Sequence, residues 1–230
     1  FISSRLRLAR NLADCPFIRR CTDQDRAAVE KACHQAIAQV ENWRDLIYVD
    51  VSTLAALDRQ FLVERQLISR ELAEANGARS VAVEPQETFS LVIHDEDHLR
   101  LPCIQAGLTL QSDWERINEI DNQLDARLTY AFHDRLGFLT ACPTNVGTGM
   151  RVSVMLHLPA LVLTQEIEKA FKSLQKIGLA VRRLYGEGSQ ARRDCYPISN
   201  QITPGRREEA PIKPPHHPPT RSSKEHSVGQ

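Results

Sequence analysis

The sequence predicts an α+β domain, a mainly antiparallel sheet with helices packed on it. Short runs alternate with the period of two that a half-buried strand requires: Phe89, Leu91 and Ile93 interleave with Ser90, Val92 and His94. A longer run places Trp114, Ile117, Ile120, Leu124, Leu128 and Phe132 on one stripe of a helix. Strand-type and helix-type runs follow one another irregularly, without the strict strand–helix–strand order of a parallel sheet.

In chain order, a first helix is expected over residues 23–40, capped by Thr22 or Asp23. Its apolar stripe is Ala28, Val29, Ala32, Cys33, Ala36, Ile37 and Val40. Residues 46–51 read as a strand, and 61–75 as helical or mixed up to a stop at Gly77. The strand at 89–94 has a partner at 99–104, with the acidic run 94–98 as the bend between them. Ser112 and Glu115 have capping-box spacing at the start of the long helix, which Gly137 would end. Then come a strand at 138–142, a turn of small residues, a helix over 152–163 and a helix over 164–177 closed by Gly178. Strands are expected at 179–185 and 196–203, joined by a polar loop. Six of the twelve prolines fall in residues 204–219, beside His216 and His217. Such a composition cannot form a packed core. The division expected is therefore a folded unit over 1–203 and a disordered tail over 204–230.

With 230 residues, 42% of them hydrophobic, the chain can bury a sizeable core. Its formal net charge is zero, so no global field points to nucleic acid or a membrane surface. Of the 29 basic residues 23 are Arg, the side chain suited to bidentate contact with phosphate or carboxylate, although Arg-favouring codon usage yields the same excess. The cysteines (Cys15, Cys21, Cys33, Cys103, Cys142 and Cys195) form no CxxC pair and no regular framework. They read as reduced thiols of a cytoplasmic protein. No apolar stretch reaches the ~18–20 residues of a membrane span. The chain opens at Phe1 and enters a motif within three residues, which reads as a piece of a longer chain.

Five segments concentrate residues that could carry chemistry. They are Ser3-Ser-Arg-Leu-Arg7 with Arg10; His94-Asp-Glu-Asp-His-Leu-Arg100; Cys142-Pro-Thr-Asn-Val-Gly-Thr-Gly-Met-Arg151; Arg182-Arg-Leu-Tyr-Gly-Glu-Gly-Ser189; and Ser199-Asn-Gln201. If the first is extended, Arg5 and Arg7 point the same way. Arginines at 5, 7, 100, 151 and 182 converging on one place would need a polyanion, and a nucleotide polyphosphate is the obvious one. The chain has neither a G-x-x-x-x-G-K-[ST] loop nor the protein-kinase signature set. Each piece has an ordinary alternative: surface charge for an arginine, an acidic turn for Glu96, a small buried hydrophobe for Cys142. The string His94-Asp-Glu-Asp-His98 also lies one residue from the zinc-protease H-E-x-x-H. That motif needs a helix, and the residues before it alternate as a strand.

Taken in order, these segments resemble the ATP:guanido phosphotransferase family, and within it the bacterial protein-arginine kinases. The most specific stretch comprises Tyr130-Ala-Phe, the run from Leu136 to Arg151, and Ser153-Val-Met-Leu-His-Leu-Pro-Ala-Leu-Val-Leu-Thr164. Supporting matches are Ser3 to Asn11, Glu64-Arg-Gln-Leu-Ile-Ser69, Glu96 to Arg100, Tyr185-Gly-Glu-Gly-Ser189 and Ile198-Ser-Asn-Gln201. The resemblance spans about residues 3–203, a catalytic domain truncated at both ends, and implies the family's glutamine-synthetase-like antiparallel sheet flanked by helices. It implies that Arg5, Arg7, Arg100, Arg151 and Arg182 clamp the phosphates of ATP, with Mg²⁺ held through those phosphates and no metal site of protein side chains. Glu96 and Glu187 would hold the substrate guanidinium, with Cys142 beside it and Arg151 also serving catalysis.

The resemblance further implies phosphoryl transfer from ATP to arginine in proteins, with an activator protein and the protein quality-control machinery as partners. The Tyr-Gly-Glu-Gly-Ser loop, the run from Leu158 to Thr164 and the start of the chain directly in the Ser-Ser-Arg motif favour protein over free arginine. The alternatives are a small-molecule phosphagen kinase and an inactive nucleotide-binding remnant. The chain departs from the family pattern at three places: His94-Asp95 replaces Asn-Glu, Arg183 replaces Gly, and Gln190 stands where protein-arginine kinases tend to have Glu.

Overall fold

The computed structural model describes residues 1–40, 43, 45–181 and 194–200. Eight strands form one sheet in the order β2-β3-β4-β5-β1-β8-β10-β9, and every pairing is antiparallel. They are β1 (Ser3–Arg10), β2 (Ile47–Asp50), β3 (Ser80–Val83), β4 (Ser90–Ile93), β5 (Leu99–Ala106), β8 (Met150–His157), β9 (Leu179–Val181) and β10 (Cys195–Asn200). Two short strands, β6 (Phe132–His133) and β7 (Gly137–Phe138), pair separately. The expected α+β class is the observed one.

Helices α1 (Asp23–Ala38) and α4 (Leu110–Asp125) pack on one face of the sheet. Val29, Cys33 and Ile37 from α1, with Ile117, Ile120 and Leu124 from α4, share a core with Leu6, Leu8, Leu91, Ile93, Leu99 and Leu101 of the strands. α6 (Ile167–Lys176) joins this face where Phe171 meets Tyr196 of β10 edge-on, with ring centroids 5.0 Å apart. On the opposite face, α2 (Ala56–Glu64) and α3 (Arg70–Glu74) cover only the β2–β4 end, through Leu67, Ile68 and Leu72 over Val81, Val83 and Val92. β3 and β4 are thus buried on both sides, whereas β1, β5 and β8 keep one half-buried face.

Of the two expected caps Thr22 is the one used, and it forms a reciprocal box with Asp25 that the sequence reading did not include. Other expectations are corrected. Residues 150–157 form strand β8, not the start of a helix over 152–163; the helical part is only α5 (Pro159–Leu163). Two antiparallel neighbours, β1 and β10, take up the backbone groups of this run, and tertiary pairing overrides its local apolar density. The strand expected at 138–142 is confined to β7, and Gly137 lies in that strand, not at a helix end. α4 begins after Thr109 without a capping box: Ser112 donates back to the Thr109 carbonyl, and the Thr109 hydroxyl is engaged with Asp113. β3 has no counterpart in the sequence reading. Among the described residues no helix is long and apolar enough to cross a membrane. None of the six cysteines is in a disulfide. The tail at 204–230 lies outside the described residues.

Candidate functional site

The alternation of β1 builds the floor of the site. Leu6 and Leu8 enter the core, so Arg5 and Arg7 stand on the other face, half-buried. Arg7 lies directly opposite Arg151 on β8 and opposite Pro102 on β5. Arg100 is two residues from Pro102 and therefore shares that face. Arg5 faces Ser153, which in turn faces Ser199. Three adjacent strands thus bring four of the five expected arginines together. Arg151 donates to the Ser199 hydroxyl at 3.3 Å, and the Asn200 side chain accepts from the Val152 N–H at 2.9 Å, extending the β8–β10 ladder. Arg182 lies outside the described residues, as do Arg183, Glu187, Gln190 and Gln201.

Mutual repulsion is the electrostatic signature of this face. Burial, then the charges of Arg7 and Arg5, push the Arg100 guanidinium down to about 9. Burial, then Arg151, lowers that of Arg5. The Arg5 Nε is buried with no hydrogen-bond partner. Such a face is complementary to a compact polyanion with several oxygens.

The acidic turn forms one wall. Asp95 pairs with Arg100 and accepts from the Ser69 hydroxyl. Asp97 accepts from the Asn11 amide and from the Ala141 N–H, each at 2.6 Å. Asn11 in turn accepts the His98 N–H at 2.9 Å. Glu96, held between these two anchored carboxylates, has a 42% exposed side chain, 3.7 Å from Arg100. The Asp97–Ala141 bond ties this turn to the loop that carries Cys142. There the half-buried thiol lies 3.1 Å from the Thr144 hydroxyl. The structure therefore gathers Arg5, Arg7, Arg100, Arg151, Glu96 and Cys142 around one region. The anchoring partners Asp95, Asp97 and Asn11 were visible as motif letters, but their contacts were not.

His94 does not belong to this arrangement. It is buried, adopts a left-handed backbone (φ 65°) and donates from Nδ1 to the Ala78 carbonyl at 2.7 Å. Asn and His are among the residues that tolerate this conformation, so His94 is a backbone choice. The 94–98 string is a turn between β4 and β5, so its two histidines do not share the helix face of a zinc protease. His98 accepts the Leu12 N–H on Nδ1 and donates from Nε2 to the Pro16 carbonyl, which fixes it as a neutral tautomer.

Burial pushes the His94 imidazole down to about 4 and also lowers that of His98. The unfolded chain protonates first, so this stability is complete above about pH 6.5 and drains as pH falls toward 4. His94 alone accounts for about 3 kcal/mol across that interval at 1.36 per unit. Urea unfolding from pH 7.5 to 4.5 is expected to show a steep loss below pH 6, and His94→Asn a shallower one. Parallel profiles would remove His94 as the cause.

A cleft of about 360 Å³ lies elsewhere, behind the sheet, over Trp43, Phe89 and Ile120 of the helix-side core. Among the described residues, Asp45, Glu84 and Glu119 line it with Arg116, an excess of negative charge that does not suit polyphosphate. Among the described residues no group of three or more His, Cys, Asp or Glu side chains is arranged to hold a metal ion.

The family model described as ATP:guanido phosphotransferase, C-terminal catalytic domain, matches residues 28–216. The chain belongs to the ATP:guanido phosphotransferase family. Among curated proteins, it is 44% identical over 211 residues to a protein-arginine kinase of Symbiobacterium thermophilum, covering 90% of this chain and 60% of that protein. It is 42% identical over 214 residues to one from Caldanaerobacter subterraneus subsp. tengcongensis, covering 92% and 64%. The chain thus spans about 60% of the length of these relatives. Among solved guanidino kinases, the duplicated taurocyamine kinase from Schistosoma mansoni with bound transition state analog components superposes with a TM-score of 0.80 at 27% identity, over 89% of this chain and 30% of that one. A lombricine kinase gives 0.76 at 26% identity, over 89% and 60%.

Proposed function

We propose that this chain is the core of a protein-arginine kinase, moving the γ-phosphoryl group of ATP to an arginine guanidinium of a protein. The observation that carries the reading is the face where Arg5, Arg7, Arg100 and Arg151 meet beside the anchored carboxylate Glu96. The guanidino-kinase family requires ATP, and these residues suit it: converging guanidiniums, one with an orphaned buried Nε, match a triphosphate. In this reading the four arginines, with Arg182, hold the phosphates in line. Mg²⁺ carried on those phosphates would neutralise charge developing on the transferred group. Glu96, with Glu187, orients the incoming guanidinium and accepts its proton, and the Cys142 loop closes the same side. Residues 1–203 form the catalytic unit, and 204–230 a tail. The cytoplasm is the compartment that suits six cysteines outside any disulfide. Protein substrates are favoured over free guanidino compounds because curated protein-arginine kinases are 41–44% identical, against 26–27% for the taurocyamine and lombricine kinases. An activator protein and the quality-control machinery are the partners this assignment brings with it.

The test is transfer from labelled ATP-Mg to an arginine-rich protein, with free arginine in parallel. Acid-labile, base-stable label on the protein is the expected result. Efficient turnover of free arginine instead would make the chain a phosphagen kinase. ATP binding without transfer to either acceptor would make it a nucleotide-binding remnant.

A further inference from the structure

We infer that Arg10, through a buried pair with Asp121, positions the loop that carries Cys142. The inference rests on the phosphotransferase reading and adds to it a residue that does not reach the reacting atoms. Arg10 is the one arginine of the first motif that the proposed site leaves unused. It alternates with Arg5 and Arg7 and so turns toward the helix side of the sheet, where it is only 3% exposed.

Its guanidinium is engaged in three directions. Nε and Nη2 donate to the Asp121 carboxylate of α4, Nη2 at 2.6 Å. Nη1 donates to the carbonyls of Ala9 and Thr148, each at 2.9 Å. The guanidinium plane lies over the Phe138 ring, 3.7 Å from its centroid. Phe138 and Gly147 exchange backbone hydrogen bonds at 2.8 and 3.2 Å and so close the base of the loop. One stem of the loop is thus held through the Phe138 ring and the other through the Thr148 carbonyl, both by the same side chain. Cys142 lies between the stems, and Arg151 follows the second of them directly.

The chemistry specifies arginine. Only a planar fork with several N–H groups serves a carboxylate, two carbonyls and a ring face at once; an ammonium would keep the charge and lose the geometry. A buried ion pair of this kind is weak evidence for stability alone, so a specific use for its geometry is the better account. Arg10 therefore acts as a positioning residue, coupling α4 to the placement of the thiol and of Arg151.

The test uses the whole 230-residue chain carrying Arg10→Lys, which keeps the charge. Alkylation by iodoacetamide is followed at each cysteine by mass spectrometry. The Cys142 rate is expected to change about fivefold or more, since thiol reactivity follows its surroundings, with Cys15, Cys21 and Cys195 unchanged. In parallel kcat should fall about 10- to 100-fold, by more than the KM for ATP rises, the mark of misplaced rather than missing groups. A folded variant with an unchanged Cys142 rate and unchanged kcat overturns the inference. Should Arg10→Lys not fold, Phe138→Leu removes the ring beneath the guanidinium, and an unchanged Cys142 rate in that variant overturns it equally. Alkylation does not depend on phosphotransfer. A wild-type chain that transfers no phosphate would sink the kinase reading, while the alkylation comparison still decides the role of Arg10.

Discussion

Glu96→Gln is expected to lower phosphate transfer to protein arginine by about 10²- to 10⁴-fold, the range lost with a positioned acid–base group. A guanidinium has a pKa of about 12.5–13.8, so presenting it neutral at pH 7 costs about 7–9 kcal/mol. A carboxylate that takes the proton as nitrogen attacks phosphorus spreads that cost into the transition state. Gln keeps the shape and the hydrogen-bonding reach but cannot accept the proton. Stability should stay within about 0.5 kcal/mol, because the side chain is well exposed and its ion pair with Arg100 is long. ATP affinity should be nearly unchanged, since the arginines proposed to hold the phosphates are untouched. Labelled-phosphate transfer, ATP titration and urea unfolding on the same preparation read the three quantities. Near-normal kcat would remove Glu96 from the chemistry, and a cooperative loss of stability would make it a structural residue.

The second large effect is on folding. Gly149 has φ 67°, and a Cβ there would sit 2.5 Å from the Ala9 carbonyl oxygen and against Nη1 of Arg10. Neither neighbour can yield. The Ala9 N–H is bonded to the Gly149 carbonyl at 2.9 Å, and the Arg10 fork is fully engaged. Gly149→Ala therefore combines a left-handed alanine, about 1–2 kcal/mol, with overpacking of about 1–3 kcal/mol. A loss of roughly 2–5 kcal/mol is expected, enough to unfold a marginal domain. Gly178 is the control. Its φ of 80° is comparable, but among the described residues beyond its chain neighbours no atom lies within 4 Å of its Cβ position, so Gly178→Ala should cost only the backbone share. Equal destabilisation of the two variants in urea would show that the close approach at Gly149 is unimportant.

What was legible in the chain follows the range of each interaction. The helices with clear three-and-four spacing, α1 and α4, were readable, as were the alternating strand β4 and its partner β5. Val152, Val154 and Leu156 alternate as a strand should, but they run without a break into Leu158 and Leu161 of the next helix. A dense apolar run of that kind fits either period. The four residues of β3 are all buried, so no polar side marks a period. The four arginines that meet on one face, Arg5, Arg7, Arg100 and Arg151, were legible as a set because motif order survives in sequence. The pairing of Arg10 with Asp121, 111 positions away, is a product of the fold and leaves no local trace. His94 stood out in the sequence as a departure from the family's Asn; the buried ring and positive φ, which make it a turn residue, are visible only in the fold.

In β1 the core and the candidate site are interleaved in one segment: even positions 6 and 8 seal the hydrophobic layer, and odd positions 5 and 7 stand on the opposite face. Because side chains swap faces with a shift of one residue, a slipped β1 would drive two guanidiniums into the interior and two leucines into water. No misregistered form could therefore pass as a stable but inactive molecule. The cost of burying the charges makes the correct alignment self-proofreading, so that whatever chain survives folding arrives with its cations already in place.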